Sequence, residues 1–106
     1  MSLPDLKGLL EAAQRIQREV SRVRDELATK SVTAETGGGL VRCVANGKGE
    51  LVSLTVDASI AGDKKMIEDL TVGAVNLALE RARELAQAEL QRATGGLPLP
   101  PGLFGG

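Results

Sequence analysis

Residues 6–27, LKGLLEAAQRIQREVSRVRDEL, carry apolar side chains at alternating spacings of three and four residues. These apolar positions are Leu6, Leu9, Ala13, Ile16, Val20, Val23 and Leu27. The spacing is that of a heptad a/d seam, which is narrower than the apolar stripe of an ordinary surface helix. It predicts a long, straight helix, from about Pro4 or Asp5 to about Lys30, whose seam packs against another helix.

The length of this helix predicts a homodimer. A helix of about 26 residues is roughly 39 Å long, whereas three short strands make a patch of only about 14 by 18 Å. Helices of this length overhang such a sheet, and two copies bury the remaining apolar surface more completely than one. The seam residues expected to form the dimer or helix contact are Leu9, Ile16, Val20, Val23 and Leu27.

After the helix, the apolar period changes from a helical repeat to alternation, which is typical of half-buried strands. Residues 31–35 form the first predicted strand, and Gly37 to Gly39 connect it to a second strand from Leu40 to Ala45. The dipeptide Asn46-Gly47 predicts a two-residue hairpin turn. A third strand then runs from Leu51 to Val56, which gives a three-stranded antiparallel meander.

A second long helix follows the strands. After a loop over residues 57–62, Asp63 is the predicted N-cap, and the helix ends at about Arg92 or Thr94 because Gly95-Gly96 and Pro98 follow. The fold class is therefore α+β, with the order αβββα. Residues 1–94 are expected to form one dimerising domain, and residues 95–106 a flexible tail rich in proline and glycine.

The composition disfavours catalysis. The chain has no histidine, the usual acid, base and metal ligand near neutral pH. Its single cysteine, Cys43, lies on a predicted strand, where a small buried apolar role is expected, and it indicates a reducing compartment. We therefore expect no enzyme activity, cofactor, metal or small-molecule substrate. No apolar run approaches the about 20 residues that span a bilayer, so we expect a cytoplasmic protein without a membrane partner.

The charges do not by themselves indicate a nucleic-acid partner. Thirteen basic and 14 acidic residues give a net charge of −1, so any attraction for phosphate has to come from a local patch. A candidate patch lies on the flank of the first helix away from the seam. It comprises Arg15, Arg18 and Arg22, with Lys7 below and Arg24 beside it. Glu11, Glu19 and Glu26 can pair with Arg15 or Arg22, whereas Arg18 has no acidic neighbour at those spacings. Charge alone favours an ordinary solvated helix face.

Four segments resemble the YbaB/EbfC family of bacterial nucleoid-associated proteins, over almost the whole chain. Their order and spacing carry the resemblance, since each segment alone is short. They are EAAQRIQREVSRVRDEL (11–27), VTAETGGGLVRCVANGKGELVSLTVD (32–57), DKKMIEDLTVGAVNLALERA (63–82) and LPPG (99–102). The resemblance implies a tweezer-like homodimer whose projecting helices hold DNA, with a role in organising the nucleoid or in transcription and repair.

The resemblance also implies which side chains contact DNA. The candidates are Arg15, Arg18, Arg22, Arg24, Arg81 and Arg83, with Arg92 weaker, and with Arg42 and Lys48 on the sheet less favoured. Arg and Lys contacts to phosphates give duplex binding with little base discrimination, and the lack of aromatic platforms disfavours single-strand stacking. The alternative is a dimeric helical adaptor that presents its seam or its LPPG tail to another protein and does not bind DNA.

Overall fold

The computed structural model describes residues 3–95, with side chains from residue 5 onward. Its elements are α1 (Leu3–Leu27), β1 (Ser31–Thr36), β2 (Val41–Asn46), β3 (Leu51–Val56), a short 3-10 helix (Ala58–Ile60) and α2 (Lys64–Ala93). The strands form one antiparallel sheet in the order β1-β2-β3. The predicted αβββα order and the meander are confirmed. Residues 96–106 of the predicted tail lie outside the described residues, and the division at residue 95 stays a prediction.

The core lies where α2 crosses one face of β1 and β2. On β2 the buried residues Val41, Cys43 and Ala45 alternate with less buried ones, as the period of a strand requires. The residues of α2 that face them are small, and Ala74, Ala78 and Ala82 are each at most 1% exposed. Short side chains on both surfaces allow the helix to approach the sheet closely.

The third strand lies outside this cover. Helix α2 contacts β1 and β2 extensively, but it makes little contact with β3. Leu54 pairs with Cys43, so it points to the core face, yet it remains 46% exposed. A register shift opposite Val44 and Ala45 bends the start of the strand, and Leu51 and Val52 are also exposed.

Helix α1 packs mainly on α2 rather than on the sheet. Its seam is divided into two parts. Val20, Val23 and Leu27 are buried within the chain, together with Leu90 of α2, whereas Ile16 is half-buried and Leu9 is exposed. The amino-terminal half of α1 projects away from the other elements. The whole structure, including α1, extends 71 Å along its longest axis and only 21 Å and 17 Å along the others.

The ends of α2 follow the predicted capping chemistry. The Asp63 carboxylate accepts a hydrogen bond from the Met66 N–H at 3.1 Å, which satisfies one of the free donors in the first turn. The helix ends at Ala93, and Gly95 has a φ of +67°, a conformation that glycine adopts without strain. Helix α1 ends at Leu27, three residues earlier than predicted.

The predicted two-residue hairpin at Asn46-Gly47 is wrong. Four residues, 47–50, separate β2 from β3, and the glycine with positive φ is Gly49, at +81°. The Asn46 side chain stabilises this wider loop, because its carbonyl oxygen accepts hydrogen bonds from the Lys48 and Glu50 N–H groups at 3.0 Å and 3.1 Å.

Gly47 has a different role, since it lets the loop approach the end of α1. Its N–H donates to the Leu27 carbonyl at 2.9 Å. A Cβ at this position would lie 2.6 Å from Leu27 Cδ2 and 2.9 Å from the Leu27 carbonyl oxygen. This contact fixes α1 relative to the sheet and satisfies one of the last carbonyls of the helix.

We expect Gly47→Ala to lower the free energy of unfolding by about 1–3 kcal/mol, because overpacking forces buried neighbours to shift. Urea denaturation followed by circular dichroism measures this change. Gly62→Ala is the matched control, since a Cβ at Gly62 has no neighbour within 4 Å. Equal denaturation midpoints for the two variants would contradict the assigned role of Gly47.

Candidate nucleic-acid interface

Three arginines form the outer face of α1, opposite the buried part of the seam. Arg15, Arg18 and Arg22 lie three and four residues apart on the helix, and all three are exposed. Neighbouring side chains at these spacings share one helix face. The structure therefore places these predicted residues on one surface, but it does not leave them in the same electrostatic state.

Arg22 is held between two glutamates. Its guanidinium donates to Glu19 at 2.7 Å and to Glu26 at 2.6 Å. The hydrogen bond with Glu19 and then that with Glu26 raise the pKa of Arg22, and the hydrogen bond from Arg22 lowers the pKa of Glu19. The positive charge of Arg22 is thus already offset, and a phosphate would have to compete with two carboxylates.

Arg15 and Arg18 have no such partners. Within residues 5–95 neither side chain makes a hydrogen bond or an ion pair. For Arg18 this was predicted, because the sequence gives it no acidic neighbour three or four residues away. Arg15 was expected to be able to pair with Glu11 or Glu19, but Glu19 bonds to Arg22 instead.

Two other predicted residues lie on a separate surface. Arg24 and Arg83 line one cavity of about 410 Å³ between α1, the β2–β3 loop and α2. Lys48, which was a less favoured candidate expected on the sheet, lies in the β2–β3 loop and lines the same cavity. The sequence places Arg24 beside Arg22, yet the helical rotation between them turns Arg24 towards α2.

The remaining predicted arginines have structural contacts. Arg81 donates to the Thr33 carbonyl at 2.5 Å and so ties α2 to β1. Arg42 lies 3.7 Å from Glu35 across the β1–β2 pair, and Arg92 is paired with Glu89. These three side chains are less available for a phosphate than those without a partner.

A second, shallower cavity of about 350 Å³ lies between α1 and α2. It contains charges of both signs. Lys30 donates to Glu89 at 2.7 Å, and the hydrogen bond from Lys30 is the main reason that the pKa of Glu89 is lowered, with a further contribution from Arg92. This arrangement holds the two helices together and is unlike a binding site for an anion.

The described part of the chain gives little support for a nucleophilic cysteine, a metal site or a membrane span. Cys43 is fully buried beneath α2, and burial raises the pKa of its thiol, which opposes formation of a nucleophilic thiolate. No group of three potential metal ligands is found among the described residues. None of the helices in residues 3–95 has the apolar length needed to cross a bilayer.

Comparison with known proteins places this arrangement in a family. The statistical model of the YbaB/EbfC DNA-binding family matches residues 1–97. The chain belongs to the YbaB/EbfC DNA-binding family. The resemblance noted in the sequence is thereby confirmed over nearly the whole chain.

Individual relatives agree with this membership. A nucleoid-associated protein of Thermoanaerobacter sp. is 40% identical, covering 94% of this chain and 91% of the relative. Another, from Anaeromyxobacter sp., is 42% identical and covers 91% and 95% of the two chains. The crystal structure of an uncharacterized protein from Helicobacter pylori superimposes with a TM-score of 0.72 at 28% identity, covering 90% of this chain and 99% of that one.

The lowered pKa of Glu89 makes stability depend on pH. Its charged form is favoured in the folded state, so the stabilisation is present above the pKa of the unfolded chain and is lost as the pH falls through the folded value. We expect the melting temperature of the parent to fall more between pH 6 and pH 3 than that of Glu89→Gln. Glu84→Gln, which removes an exposed carboxylate that has no ion pair within the described residues, is the control. Parallel curves for the parent and Glu89→Gln would contradict the contribution of Glu89.

Proposed function

We propose that this protein binds duplex DNA as a homodimer with little sequence specificity. Family membership and the names of its relatives support DNA as the partner. We also propose that it acts in the cytoplasm, at the nucleoid, where it organises DNA or modulates transcription and repair.

One observation supports the DNA surface more than any other. Of 13 basic side chains, six have no hydrogen bond or ion pair within residues 5–95. They are Lys7, Arg15, Arg18, Arg24, Lys48 and Arg83. Four of them lie on α1 and two face it across the cavity, while both lysines at the start of α2 are ion-paired. A chain of net charge −1 therefore concentrates its unpaired positive charge on and around one projecting helix.

The expected mode of binding follows from the kind of side chain. Unpaired arginines and lysines on a helix surface contact phosphate oxygens, which position a duplex without reading its bases. Each neutralised phosphate releases condensed counterions, so the affinity falls with salt. The unpaired basic side chains of α1 are thus suited to binding a duplex of any sequence.

The uncovered surface of β3 supports the homodimer. Leu51, Val52 and Leu54 are exposed on an edge strand, with exposures of 49%, 62% and 46%. Within residues 3–95 no other segment pairs with the free edge of β3. An exposed apolar edge is an aggregation hazard unless it is covered. In a homodimer, β3 of one protomer would cover β3 of the other. We therefore place the dimer contact at β3 rather than at the buried part of the α1 seam.

The DNA-binding proposal predicts a strong dependence on salt. If about six phosphates are contacted per dimer, the logarithm of affinity should fall with the logarithm of salt concentration at a slope near −5. Arg18→Glu should weaken binding and flatten this slope, because it replaces an unpaired cation on α1. Fluorescence anisotropy of a labelled duplex from low to moderate salt measures both quantities.

Lys65→Glu provides the matched control, since it makes the same charge change at a residue already paired with Asp69 on α2. Its affinity should stay near that of the parent. Either of two results would contradict the proposal: an affinity that barely changes with salt, or equal affinities of the Arg18→Glu variant and the parent. Absence of duplex binding at low salt would favour the adaptor alternative.

The dimer proposal predicts that Leu54→Glu yields a folded monomer. Dimerisation would bury the new carboxylate on β3 without a counter-charge, which is costly. Size-exclusion chromatography with light scattering gives the mass, and circular dichroism confirms the fold. Ser31→Glu, on the exposed surface of the opposite edge strand, should remain dimeric. A monomeric parent at high concentration would overturn the assembly.

A further inference from the structure

The cavity of about 410 Å³ at the base of α1 is built from three separate parts of the chain. Helix α1 supplies one wall, the β2–β3 loop a second, and the middle of α2 a third. The residues that line it are Arg24, Leu27, Gly47, Lys48, Gly49, Ala82, Arg83 and Ala86. The cavity is thus a feature of the tertiary fold rather than of one helix.

The charged lining of this cavity is entirely positive. Arg24, Lys48 and Arg83 are each exposed, and within the described residues none of their side chains has a hydrogen bond or ion pair. No carboxylate lines the cavity. Three unpaired cations around one opening attract an anion, and nothing in the lining compensates them.

The floor of the cavity is apolar and its space is kept open by small residues. Leu27 and Ala82 are buried and Ala86 is half-buried. Gly47 and Gly49 have no side chains to fill the loop wall, and Gly49 has a φ of +81°, which disfavours other residues. A ligand that fits therefore carries negative charge at the opening and an apolar surface towards the floor.

We propose that this cavity seats a backbone phosphate of duplex DNA, with the adjoining deoxyribose against the apolar floor. The inference rests on the proposed DNA-binding function and deepens it. It adds Lys48 of the β2–β3 loop to the interface and places a contact at the root of α1. This contact lies at the junction of the two helices with the loop, on a surface separate from the outer face of α1.

The chemistry of the lining favours a phosphate of the nucleic-acid backbone. Arg24 and Arg83 offer planar donor groups that match phosphate oxygens, and Lys48 adds a point charge. The charged side chains of the lining are donors only, so they match the phosphate oxygens that every nucleotide presents. The contact therefore increases affinity without sequence preference, which agrees with the low specificity proposed above.

The test is a salt titration of duplex binding by anisotropy, with Lys48→Ala and Arg83→Ala compared with the parent. Losing one phosphate contact per protomer should make the slope less negative by about 1.8 per dimer. Between 0.2 M and 0.05 M salt, the advantage of the parent over each variant should then widen by roughly tenfold. Lys65→Ala, an equal charge change at an ion-paired residue, should follow the parent.

A second variant tests the cavity without altering charge. Ala86→Met places a longer side chain over the apolar floor, so it should weaken duplex binding several-fold while the circular dichroism spectrum and the dimer mass stay unchanged. Salt-dependent binding that is identical in Lys48→Ala, Arg83→Ala and the parent would overturn the cavity site and leave the proposed function standing. A parent that binds no duplex at low salt would overturn both.

Discussion

The close approach of α2 to the sheet is the constraint on which the rest of the structure depends. Alanines on the helix, such as Ala74 and Ala78, meet Ala34 and Cys43 on the strands, and all four are fully buried. A helix seated this closely covers two strands and leaves the third uncovered. Helix α1 packs instead against the carboxyl-terminal part of α2, where Lys30 donates to Glu89. The exposed β3 edge is a consequence of the close approach of α2.

Apolar periodicity was sufficient to predict the elements and their order. The three-four spacing of α1, the alternation in β2 and the cap at Asp63 are local signals, and each is found in the structure. The β2–β3 loop was mispredicted because Asn46-Gly47 also satisfies a non-local requirement. Gly47 is needed for its contact with Leu27, so the turn forms two residues later, around Gly49. A sequence pattern does not distinguish a glycine needed for a positive φ in a turn from one needed because a neighbouring side chain packs against its Cα.

The candidate DNA surface was only partly predictable, for an electrostatic reason. Sequence spacing identifies which acids can reach an arginine, but not which arginine they choose. Glu19 bonds to Arg22, and Arg15 has no partner within residues 5–95. The grouping of Lys48 with residues of two helices could not be foreseen, because it depends on how the loop meets α1. The one available signal was the lack of a nearby acid, and it correctly predicted that Arg18 has no partner within residues 5–95.

The projecting half of α1 has a mechanical consequence. Nearly all side chains of residues 5–15 are exposed, so this segment keeps its helical order mainly through local backbone bonding. Isolated helices of such length are marginal in water, and their amide hydrogens exchange through fraying, whereas those of the buried turns of α2 exchange only when the domain opens. A partner that binds along the segment would therefore add to its rigidity. Helical order in this arm is thereby coupled to binding along it.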